Sequence, residues 1–200
     1  MEDFILEIPG SISKETCEGI MNLIDSSPHT ADAALGNEGA SSVNRKIRDC
    51  VDVNITRHPG GEELDVALMD ASREGFNIYS QTVLAPKDIV LPFNSFRQVF
   101  FQAMRYDEGS TGYTWHHDEM LLGGGVRTLS FIWYLNTLPE ACGTQFQFVD
   151  KTVKPEQGKL LIFPSNWAWV HRGLPVEKDS KYIVTSWMIG GWTNPNDPIE

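Results

Sequence analysis

The run His116-His117-Asp118-Glu119 holds the residues best suited to chemistry in this 200-residue chain. On an extended strand, residues two apart project on one side, so His116 and Asp118 can reach one metal ion while His117 turns away. His171 lies 53 positions beyond Asp118, after the apolar run Lys159–Phe163, and can supply a third ligand from a facing strand. Two imidazoles and one carboxylate on one face suit non-haem Fe(II) and leave three of its six octahedral positions open. His117 and Glu119 form a rival pair one register over. His29 and His58 sit in turn-like contexts (Ser-Pro-His-Thr and Arg-His-Pro-Gly) and read as solvated surface residues. A His-x-Asp pair alone is common by chance, and a lone histidine is more often structural, so the surrounding elements must decide.

Those elements divide the chain. Ser13 caps a helix in which Cys17, Ile20, Met21 and Ile24 recur at helical spacing, ending before Pro28. From Pro28 to about Ser42 the Ala, Gly, Ser and Asn content reads as loop. A second helix runs from Glu62 to about Tyr79, with Leu64, Ala67, Leu68, Ala71, Gly75 and Ile78 on one face. From Phe96 the character changes to strands: Phe96–Tyr106, Arg127–Leu135, Gln145–Val149, Lys159–Phe163 and Lys181–Ile189, punctuated by Gly, Pro, Asn and Asp. The Gly123-Gly124-Gly125 run lacks the strand–loop–helix setting of a phosphate cradle and reads as a strand connector. The organisation expected is one domain over 1–200, with a helical support region at 1–95 and a β-rich core at 96–192.

Composition narrows the partners. Sixteen basic against 27 acidic residues give a formal net charge of −11, which phosphate backbones and anionic lipid would repel. A small molecule or a protein is therefore the expected partner, with neither nucleic acid nor membrane. Cys17, Cys50 and Cys142 are odd in number, far apart and without a C-x-x-C pair, which suits free thiols in a reducing compartment. The start MEDFILEIPG lacks the positive charge of a signal peptide, and no apolar run approaches the ~20 residues of a membrane helix. A cytoplasmic location is the expectation.

Four segments, in order, carry a resemblance. Tyr106-Asp-Glu-Gly109-Ser-Thr-Gly112-Tyr113-Thr-Trp-His116-His-Asp118 resembles the iron-binding segment of the prolyl hydroxylases, Fe(II)- and 2-oxoglutarate-dependent dioxygenases, and most of all their oxygen-sensing branch. Arg127-Thr-Leu-Ser130-Phe-Ile-Trp-Tyr134-Leu-Asn136 is similar to the strand that follows in those enzymes. His171-Arg-Gly173-Leu-Pro175-Val176 is like the collagen-type pattern around the distal histidine, and Lys181-Tyr-Ile-Val-Thr185-Ser-Trp187 matches the closing strand of both branches.

The resemblance implies an α+β fold with a double-stranded β-helix (jelly-roll) core and N-terminal supporting helices. It favours His116 and Asp118 over the rival register, and with His171 they would hold Fe(II). Lys181 stands where collagen-type enzymes carry the lysine that pairs with the far carboxylate of 2-oxoglutarate. Period 2 places it beside Ile183, Thr185 and Trp187, and a buried ammonium needs such a partner. Ser130 and Tyr134 share a strand face and could point at the same carboxylate, and Tyr106 matches another 2-oxoglutarate contact. The cofactors implied are Fe(II), 2-oxoglutarate and dioxygen, with ascorbate as a reductant. The implied reaction oxidises 2-oxoglutarate to succinate and carbon dioxide and hydroxylates a C–H bond. A prolyl residue in a peptide or protein leads as substrate; a free amino acid or other small molecule is the alternative. A non-catalytic binding module on the same fold is a third reading, which the intact His, Asp, His and Lys set argues against. The pattern departs at Cys142, where prolyl hydroxylases usually carry the first of two glycines, and this puts substrate identity in question.

Overall fold

The computed structural model of the chain describes residues 2–35, 42–90, 97–122 and 125–190. In chain order its strands are β1 (Leu6–Ile8), β2 (Ala31–Asp32), β3 (Ala34–Leu35), β4 (Ser42–Val43), β5 (Val51–Asn54), β6 (Gln102–Tyr106) and β7 (Tyr113–His116). After these come β8 (Leu121–Leu122), β9 (Gly125–Tyr134), β10 (Thr144–Phe146), β11 (Lys151–Val153), β12 (Leu160–Pro164), β13 (His171–Gly173) and β14 (Lys181–Gly190). Helices α1 (Lys14–Ser26) and α2 (Glu62–Tyr79) precede β6.

Among the described residues the strands form two principal antiparallel sheets. The larger runs β1-β12-β9-β14-β6-β5-β2, with β8 paired to β9, and the smaller runs β11-β10-β13-β7. Alternation along the central strands explains how both faces of the larger sheet are covered. Leu129, Phe131 and Trp133 of β9, Leu160 and Ile162 of β12, and Val184 and Met188 of β14 join one core with Cys17, Ile20 and Ile24 of α1 and Leu68, Ala71 and Tyr79 of α2. The intervening residues Ile132, Tyr134, Leu161, Phe163 and Ile183 join a second core with Phe146 of β10 and Val153 of β11. The helices therefore back one face of the sheet, and the smaller sheet covers the other. This is the jelly-roll arrangement, with helical support.

The helix assignments match the sequence reading. Ser13 caps α1 by accepting from Thr16 N–H at 3.1 Å. In α2, Gly75 permits close approach, because a Cβ there would lie 2.6 Å from Leu160 Cδ2. The N-terminal half is not helical support alone, however. Strands β1, β2 and β5 belong to the larger sheet, with Leu6 opposite Ile162 and Val53 opposite Ala103. These runs of two to four residues are too short to show a period, and distant partners define them. The same holds for β2, β3 and β4 within the expected loop. The strand expected over Phe96–Tyr106 is confined to β6, and that over Gln145–Val149 to β10. Phe96, Gly123, Gly124 and Trp192 lie outside the described residues.

Candidate metal centre and adjoining cavity

His116 ends β7 and stands directly opposite His171 of β13 in the ladder, so adjacent antiparallel strands bring the two imidazoles together. Their ring centroids are 4.3 Å apart. Asp118 lies two residues past the end of β7, not on the strand. Its N–H and that of Glu119 donate to the Ser165 carbonyl at 3.0 and 2.8 Å, which turns the chain so that the carboxylate faces the histidines. His117 and Glu119 are exposed. Of the two registers, this one places His116 and Asp118 inside with His171.

The donor atoms fit a cation. One ligand atom from each of His116, Asp118 and His171 lies within 4.8 Å of the others. His116 Nδ1 is 2.7 Å from the Thr114 carbonyl and His171 Nδ1 is 3.0 Å from the Trp169 carbonyl. A carbonyl only accepts, so each Nδ1 carries the proton and each Nε2 presents a lone pair inward. Those Nε2 atoms sit 3.7 and 3.8 Å from the Asp118 oxygens, too far for hydrogen bonds. Burial, and then His171 beside it, push the His116 pKa down, which favours the neutral ligating form. Burial works against the Asp118 charge, but the two histidines and the Ser130 hydroxyl outweigh it and hold the carboxyl below its ordinary range. The Trp187 indole N–H lends further support, although its geometry falls short of a hydrogen bond.

These three residues line a cavity of about 700 Å³ between the two sheets. The β14 residues Lys181, Ile183, Thr185 and Trp187 all line it, as period 2 requires. Lys181 is buried, and its ammonium donates to the carbonyls of Cys142 at 3.0 Å and Leu174 at 3.2 Å. It lies 4.7 Å from the Tyr106 ring centroid. Among the described residues no carboxylate comes within ion-pair distance of it, and burial lowers its pKa to about 8. A cation so placed leaves one of its three N–H groups for an anionic ligand.

Four further residues behave differently from one another. Tyr106 is buried beside Lys181 and donates to Met104 Sδ at 3.8 Å. Tyr134 lines the cavity, and its hydroxyl donates to Thr144 Oγ1 at 2.7 Å. Ser130, expected from the resemblance to meet 2-oxoglutarate, has its hydroxyl 2.7 Å from Asp118 Oδ2 and 2.9 Å from Ser165 Oγ. It shares a strand face with Tyr134, but four residues of strand, roughly 13 Å, carry it to the metal end of the cavity. Cys142 is also explained. Its carbonyl meets Lys181, and its backbone has no positive φ, so glycine is not required there. Gly143 is required, since a Cβ would lie 2.2 Å from the Val153 carbonyl.

Sequence reasoning passed over Ser165, Thr144 and Arg48, placed Trp187 only on the Lys181 face of its strand, and assigned no role to Arg127. Arg127 stacks on Trp187 with its guanidinium carbon 3.6 Å from a ring centroid. The Nε atoms of Arg48 and Arg127 are buried without a hydrogen-bond partner, and both residues line the cavity. Arg48 comes from a turn distant in sequence, and nothing in its local sequence marks it.

Residues 101–189 match the model of the 2OG-Fe(II) oxygenase superfamily. That superfamily takes iron and 2-oxoglutarate, and within the matched segment this chain carries the His116, Asp118 and His171 set, whose donor atoms could hold a metal ion. Among individual proteins, a 2-oxoglutarate and iron-dependent oxygenase domain-containing protein 3 of Xenopus tropicalis is 28% identical over 178 residues, 82% of this chain. The match covers 52% of that relative, so the chain spans about half its length. A viral collagen prolyl hydroxylase from Paramecium bursaria Chlorella virus-1, solved with 2-oxoglutarate, has a similar fold at TM-score 0.70 and 19% identity, covering 94% of this chain and 96% of that one. So does a Trichoplax adhaerens prolyl hydroxylase solved with a hypoxia inducible factor peptide, at TM-score 0.70 and 19% identity over 93% of this chain and 83% of that one. A Pseudomonas putida prolyl-4-hydroxylase follows at TM-score 0.65 and 17% identity, with 92% of each chain covered.

Proposed function

We propose that this chain is an Fe(II)- and 2-oxoglutarate-dependent hydroxylase acting on a prolyl residue of a peptide or protein. The observation that carries the reading is the buried ammonium of Lys181, without a carboxylate partner among the described residues, in the same cavity as His116, Asp118 and His171. His116 Nε2, His171 Nε2 and an Asp118 oxygen would hold the iron, and Lys181 would take the far carboxylate of 2-oxoglutarate. Bound there, iron and 2-oxoglutarate supply the oxidising power for C–H hydroxylation with dioxygen; positioning and exclusion of water fall to the protein.

The chain's own groups suit this work. Tyr106 and Ile183 wall the lysine and keep water from it. Arg48 and Arg127 each keep a buried Nε–H free to meet a carbonyl, as an extended peptide would present. The three cysteines are buried and free, consistent with a reducing cytoplasm as the working compartment.

The test is succinate formation from 2-oxoglutarate and Fe(II), with and without proline-containing peptides. Stimulation with a mass gain of one oxygen on a peptide is the expected result. Turnover that peptides fail to stimulate, but a free amino acid does, would replace the prolyl substrate with a small molecule. No turnover and no binding of metal or 2-oxoglutarate would leave a non-catalytic module.

A further inference from the structure

We infer that Ser130 and Ser165 form a two-hydroxyl clamp that fixes Asp118 as a one-oxygen ligand. The proton count sets the direction of the clamp. An ionised carboxylate only accepts, so Ser130 gives its single proton to Asp118 Oδ2 across 2.7 Å. With that proton committed, the 2.9 Å contact between the two serines must be a donation from Ser165 to Ser130. Both serines are 1% exposed, so water does not compete for these hydroxyls. Ser165 thus holds Asp118 twice: its carbonyl takes the Asp118 backbone N–H, and its hydroxyl supports the donor to the side chain. Asp118 needs this because it lies beyond β7, where no ladder bond fixes it.

The clamp has a chemical consequence, which rests on the function proposed above. Both carboxylate oxygens face the imidazoles, Oδ1 at 3.7 Å from His116 Nε2 and Oδ2 at 3.8 Å from His171 Nε2; the clamp engages Oδ2 and leaves Oδ1 as the oxygen for the metal. Two imidazoles and one oxygen leave three octahedral positions, enough for a two-point chelate and dioxygen. If both Asp118 oxygens bound the metal, only two would remain, and the chelate would compete with the carboxylate. Ser130 and Ser165 are therefore positioning residues for co-substrate binding.

The experiment measures binding without turnover. Metal-free wild type, Ser130→Ala, Ser165→Ala and Ser130→Thr are titrated anaerobically with Mn(II), and each Mn(II)-loaded protein is then titrated with 2-oxoglutarate. Electron paramagnetic resonance of the bound Mn(II) reports the ligand set, and thermal melting reports the fold. The clamp predicts that Ser130→Ala keeps Mn(II) affinity within a few-fold, changes the Mn(II) spectrum and loses roughly 10–100-fold in 2-oxoglutarate affinity, the size of one lost hydrogen bond to a charged group. Ser165→Ala moves the same way by less, and Ser130→Thr restores wild-type behaviour. Unchanged 2-oxoglutarate affinity and spectrum in Ser130→Ala, beside a wild type that binds both ligands, overturns the clamp alone. A lower melting temperature with those two readouts unmoved does the same. A wild type that binds neither Mn(II) nor 2-oxoglutarate overturns the proposed function and the clamp with it.

Discussion

Replacing Lys181 with methionine separates what the lysine does for binding from what it does for the fold. The ammonium is buried, and desolvation has moved its pKa from the ordinary 10.5 to about 8. At about 1.4 kcal/mol per pKa unit, the charged form carries a penalty of roughly 3 kcal/mol in the unliganded protein. Methionine removes that penalty but leaves the Cys142 and Leu174 carbonyls without their donor, at about 1–3 kcal/mol each. The two effects nearly offset, so the melting temperature should move by no more than a few degrees. Ligand binding has no such compensation. A carboxylate buried opposite methionine loses its counter-ion, a change of about 3–5 kcal/mol, or roughly 10²–10⁴-fold in affinity. The assay is anaerobic titration of Mn(II)-loaded wild type and Lys181→Met with 2-oxoglutarate. The pH dependence checks the same group. Wild-type affinity should be flat below pH 8 and fall above it, as the unliganded ammonium deprotonates. Between about pH 8 and 10.5 the unfolded chain binds the extra proton, so unliganded wild type should gain stability relative to Lys181→Met as pH rises. Equal 2-oxoglutarate affinity in the two proteins would refute the reasoning.

Three other outcomes are expected. His116→Ala should abolish tight Mn(II) binding, whereas exposed His117→Ala should retain it within a few-fold; equilibrium dialysis decides between the registers. Gly112→Ala should destabilise the protein by more than the roughly 1–2 kcal/mol cost of positive φ, because its Cβ would also meet the Gly173 carbonyl at 2.2 Å; thermal melting reads the loss. Ser13→Ala should cost about 1 kcal/mol, or roughly 2–4 °C, by removing the cap of α1 without touching Mn(II) affinity.

These expectations show where local pattern carries information. The caps and stripes of α1 and α2 are written in adjacent residues, so their ends could be read directly. Alternation on β9 and β14 likewise gave the correct faces for Tyr134, Lys181 and Thr185. What alternation cannot give is distance along a face, so the neighbourhood of Ser130 and Asp118 was not legible from it. Strands β1 and β5 are legible only through their partners β12 and β6, which lie far away in sequence. Arg48 and Ser165 reach the site by the same long-range pairing, so no spacing in the chain announces them.

Lys181 does more than line the cavity, because it crosses it. The side chain rises from the larger sheet, and its ammonium ends on carbonyls that flank β10 and β13 of the smaller one. It is a crossbeam, and the two histidines stand wholly on the far wall. A molecule fastened at the lysine and at the metal would touch both walls at separate points and resist sliding of one sheet over the other. Loading the site should therefore slow amide exchange along β10 and β13 as a block, beyond the residues in direct contact, so that occupancy is felt as stiffness of the whole sandwich.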